Sequence, residues 1–90
     1  MEQKFLIQLE ENRQKAAALG VRIRPVEDMK QAKRLLSGSR TSDGFADLMK
    51  KGQLKLSLEV LVVDKRFTSL FTDDEANTAL MRLLDAGYGF

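Results

Sequence analysis

The alternation of apolar and polar positions is mostly helical in period. Residues 2–19 place Phe5, Leu9, Ala16 and Leu19 on one stripe, with Asn12 interrupting it and Leu6 widening it. Phe5, Ile7 and Leu9 also alternate, as in a short strand. The run Ala16-Ala17-Ala18 decides for a helix, which Gly20 stops. Glu11 and Lys15 stand at i,i+4 in the favourable order. Val21-Arg22-Ile23-Arg24 reads as a short extended segment, because Pro25 biases the residue before it away from helix. Pro25 itself suits a first helical turn, so a second helix is expected from there to about Ser37, with Val26, Met29, Ala32 and Leu36 facing inwards. The small polar residues from 37 to 44 predict a flexible loop. Ser42 or Asp43 is the expected cap of a third helix carrying Phe45, Leu48 and Met49, with Asp47 paired to Lys51 and Gly52 as its stop.

The next stretch carries two signals. Leu54, Leu56, Leu58, Val60 and Val62 alternate, which is a strand pattern. Val60, Val63, Phe67, Leu70 and Phe71 share a helical stripe, and Ser57 is a good N-cap. The reading that reconciles them is an extended stretch at 53–56 and a helix from Leu58 to about Leu70, apolar on both sides and therefore central. Thr72 and Glu75 have capping-box spacing and open a last helix, Asp73 to Ala86, whose inner face is Ala76, Ala79, Leu80, Leu83 and Leu84. Gly87 closes it. The expected fold is a mainly α, compact bundle of four or five short helices, with at most a minor extended pair formed by 21–24 and 53–56. The alternative is a small α+β domain in which 4–9, 21–24 and 54–63 are strands.

Ninety residues suffice for one domain and not for two independent cores, so the whole of 1–90 is expected to fold as a unit. The longest apolar run, Val60 to Val63, is far short of the ~18 residues of a membrane span, and the N-terminus lacks the layout of a secretory signal. A soluble cytoplasmic protein is the expectation. The chain has no cysteine and no histidine, which removes thiol chemistry, zinc-thiolate sites, the usual general base and the commonest metal ligand. The acids Asp73, Asp74 and Glu75 are explained by the helix start they occupy. Neither a P-loop nor a calcium-binding loop is present. No enzyme, cofactor or metal is expected.

Net charge is only +2, but it is unevenly placed. Residues 12–57 hold eleven bases and four acids, whereas 58–90 hold three bases and six acids. Arg22, Arg24, Lys30, Lys33, Arg34 and Arg40 cluster around the second helix and its loop, and are the candidate contacts for a nucleic acid. Glu27 and Gln31 dilute that face, a helix-turn-helix is hard to assemble across the long loop, and the acidic start of the last helix would repel phosphates. The preferred function is therefore a small non-enzymatic binding or regulatory protein that contacts another protein or a second copy of itself. Met81, on an otherwise polar helix face, and the terminal Tyr88 and Phe90 are its candidate contact residues. The apolar surplus in 54–71 adds self-association as a related possibility.

Overall fold

Five α-helices and two short 3₁₀ turns follow one another in the computed structural model, which describes residues 1–38 and 40–89. They are α1 (Glu2–Ala18), α2 (Met29–Ser37), α3 (Phe45–Lys50), α4 (Leu58–Val63) and α5 (Asp73–Asp85), with 3₁₀ turns at Leu54–Leu56 and Thr68–Leu70. The expected mainly helical bundle is what forms. No strand occurs among the described residues, so neither the extended pair nor the α+β alternative exists. The radius of gyration, 11.8 Å, matches the ~12 Å of a close-packed chain of this length.

α4 is short and occupies the centre. Its Leu58, Glu59, Leu61 and Val62 are all buried, as expected of a helix apolar on both sides. α5 packs along it on one side, α1 approaches from another, and α2 lies against α5. The core falls into two clusters. In the first, Phe5 meets Phe67 and Phe71 edge-on, at 5.5 and 5.2 Å between ring centroids. Its body includes Leu9, Leu36, Leu61 and Ala79. The second gathers Ala16, Val21, Phe45, Leu48, Leu54 and Leu83.

Several boundaries differ from expectation. The 25–28 segment stays non-helical, because the Asp28 carboxylate accepts from the Gln31 N–H and so sets the start of α2 at Met29. Residues 53–56 turn into 3₁₀ structure instead of extending. Ser57 does cap α4, accepting from the Val60 N–H, but the helix stops at Val63, well short of Leu70. Asp64 takes over the backbone there. Its side chain accepts from the Arg66 N–H at 2.8 Å and its carbonyl accepts from the N–H groups of Phe67 and Thr68, which swings Phe67 towards Phe5. Leu84, placed inwards by the pattern, is 51% exposed, and Leu19 is 41% exposed. The Glu11–Lys15 and Asp47–Lys51 pairs do not form; α1 instead pairs Arg13 with Glu10.

α3 starts without a side-chain cap. Ser42 and Asp43 are engaged elsewhere, and Gly44 is the N-cap with φ of 75°. A methyl group there would stand 2.7 Å from Cγ1 of Val21 and 2.9 Å from Cγ1 of Ile23, so the close approach of the 21–23 segment requires glycine. α1, α3 and α5 end alike. In each, the N–H two residues past the C-cap returns to a carbonyl one turn back, as from Val21 to Ala16, Gln53 to Leu48 and Tyr88 to Leu83.

Candidate functional site

The helices distribute the six candidate bases unequally. Arg24 forms a two-pronged bond to Asp43, at 2.7 and 3.1 Å, and this guanidinium holds the Asp43 carboxyl below the usual range. Lys33 donates to Glu75 at 3.0 Å and lies over the Phe71 ring, its stem laid against the core. Arg22, Lys30, Arg34 and Arg40 are exposed and make no ion pair among the described residues. Of these, Lys30 and Arg34 share one face of α2 at i,i+4. The side chain of Gln31 is occupied by the Glu27 N–H.

On the C-terminal side, Met81 is 56% exposed on the outer face of α5, and Leu84 joins it at i,i+3. Tyr88 behaves differently. The turn that ends α5 carries it back over Leu83, where it is half-buried against the second cluster. Gly87 is the pivot of that turn, with φ of 77°. Among the described residues, Tyr88 packs against the second hydrophobic cluster and Met81 belongs to neither cluster. Phe90 lies outside the described residues.

The most elaborate polar constellation is one that the pattern of the chain does not announce. Glu59 is fully buried. Its carboxylate accepts from the Ser42 N–H at 2.9 Å, the Ser42 hydroxyl at 2.6 Å and the Arg82 guanidinium at 3.1 Å. Arg82, which helical spacing assigns to solvent, turns inwards and also donates to the carbonyls of Leu35 and Gly38. One ion pair thus ties α4, α5, the end of α2, Gly38 and Ser42. The only sequence signal for it is a single carboxylate inside the apolar run 58–63. Chemically it is a closed site: every donor that reaches Glu59 belongs to the chain, and no buried side-chain polar atom is left without a partner among the described residues.

Several depressions border α1, and two of them carry charged rims beside apolar floors. A pit of about 30 Å³, room for a water or two, has an aliphatic floor including Leu9, Val26, Leu35 and Leu58 and a rim made of the Glu10–Arg13 and Arg24–Asp43 pairs. A wider trough of about 540 Å³ runs between α1 and the 53–61 segment, with Lys15, Lys55 and Arg66 on its edges. No group of three or more acidic side chains is placed to hold a metal ion among the described residues, and no helix is long and apolar enough to cross a membrane. No protein-family model matches the chain, and no curated protein or solved structure is significantly similar to it.

Proposed function

We propose that the chain is a small non-enzymatic binding or regulatory protein of the cytoplasm, acting through a protein contact on the outer face of α5. One observation carries the reading. Met81 and Leu84, adjacent at i,i+3 and each more than half exposed, lie on the helix with the complete N-terminal capping box. An apolar pair on a rigid element is the arrangement that a partner surface requires, since little ordering entropy remains to be lost on binding.

A nucleic-acid contact through Lys30 and Arg34 is the second reading, favoured by the absence of any ion partner for these two side chains among the described residues. Two of the other candidate bases, Arg24 and Lys33, are already held by carboxylates, which weakens it.

A photo-crosslinking side chain separates the readings when placed at Met81 in one variant and at Arg34 in another, each expressed in the native host. Protein adducts from position 81 alone are the expected result. Nucleic-acid adducts from position 34, lost steeply as salt rises, with none from 81, would transfer the function to the second reading.

A further inference from the structure

We propose that the outer face of α5 docks onto a second copy of this chain, in the trough between α1 and the 53–61 segment; this rests on reading that face as a protein contact. Around Met81 and Leu84 the face carries Asp73, Asp74 and Asp85, none of which has a cationic partner among the described residues. The single base of α5, Arg82, is turned inwards to Glu59. The face is therefore an apolar pair whose charged neighbours on the helix are all acidic, beside the neutral Asn77 and Thr78. Two such faces cannot pair with each other without opposing carboxylates, so the partner surface must be basic at its edge and apolar at its floor.

The trough has that composition. Lys15 and Lys55 border it with no carboxylate partner among the described residues, and Arg66 contributes a third cation whose charge is shared with Asp64, the one acid of the lining given for the trough. Its floor includes Leu19, 41% exposed, together with Val60 and Leu61. A volume of about 540 Å³ is within the range of ordinary binding clefts. One copy cannot close the contact on itself, because α5 packs on α4 with its inner face while its acidic border points away from the body of the protein. The contact is head-to-tail: each copy offers a face at one end and a trough at the other, so growth does not stop at a dimer. A 13-residue helix spans about 20 Å and cannot cover the ~800 Å² per partner of a stable complex, so association is weak and depends on concentration.

Sedimentation velocity across micromolar to millimolar protein tests this. Wild-type protein should show an average mass rising to at least twice that of the monomer, and salt should suppress the rise. A face variant, Met81→Gln with Leu84→Gln, and a trough variant, Lys15→Glu with Lys55→Glu, should each stay monomeric alone, with unchanged circular dichroism because all four residues are exposed. Lys15→Gln with Lys55→Gln serves as the trough variant if charge reversal disturbs the fold. Mixed in equal amounts, face and trough variants should form a one-to-one dimer and nothing larger, since only one complementary pair of surfaces remains. Wild type that stays monomeric at every concentration, a variant that associates like wild type, or a mixture that stays monomeric would each overturn the proposal. A Met81 crosslink to a different protein alongside monomeric wild type would overturn it while leaving the α5 contact standing.

Discussion

Glu59 sits fully buried with three donors around it, and its worth to the fold lies in what happens when one member is removed. Deleting one partner of a buried ion pair leaves the other charge desolvated and costs about 3–5 kcal/mol, while replacing both by apolar side chains is often nearly neutral. Glu59→Leu and Arg82→Met are therefore each expected to lower stability by about that much, and the two combined by less than the sum. Urea unfolding of the single and double variants checks it; strictly additive losses would show that the two side chains act independently. This part of the molecule was poorly legible in the chain. A glutamate in an apolar run signals that some cation must come to it, but neither periodicity nor capping says which. Arg82 follows a polar period on α5, and its long stem allows it to reach inwards from the edge of that face. Of the candidate contact residues, Met81 is exposed as its position on α5 implies, whereas the turn that ends α5 lays Tyr88 half-buried against the second cluster, which periodicity does not announce.

At the level of elements, the secure signals were those with a local mechanism. Thr72 accepts from the Glu75 N–H at 3.1 Å and the Glu75 carboxylate accepts from the Thr72 N–H at 2.8 Å, the reciprocal bonds that their spacing predicts. Ser57 caps α4 for the same reason. Elements that depend on competition were harder: Asp28 outbids Pro25 for the start of α2, and Asp64 ends α4 by offering its own side chain to the backbone. The carboxylates in these local bonds predict an acid response. Burial pushes the Glu75 carboxyl up, but the Thr72 N–H and the Lys33 ammonium outweigh it and leave it below its ordinary range. Hydrogen bonds from Arg66 lower Asp64, and those from Arg24 lower Asp43. Each of these groups binds a proton more tightly in the unfolded chain, so its contribution is complete above its unfolded value and is lost as pH falls through the folded one. With no histidine in the chain, the urea midpoint should be flat from about pH 8 to pH 5 and fall below about pH 4. Glu75→Gln should make that fall shallower; a midpoint that rises on acidification would contradict the assignment.

Across the whole molecule, the two hydrophobic clusters meet at α4. Leu58, Leu61 and Val62 belong to the first, while Val60 packs against the second and Val63 against both. Six residues of helix thus join two lobes that sequence patterning could not distinguish, because apolar stripes mark what is buried without saying against what. Tyr88 packs against the second lobe, and it is the sole tyrosine of a chain without tryptophan. The protein therefore contains its own optical reporter: emission excited in the near ultraviolet comes from one corner of the structure, whereas far-ultraviolet dichroism averages over every helix. Because α4 couples the lobes, the two signals should trace a single unfolding curve. Tyrosine emission that changes at lower urea than the dichroism would show that the α3–α5 corner opens by itself while the phenylalanine cluster around Phe5 holds.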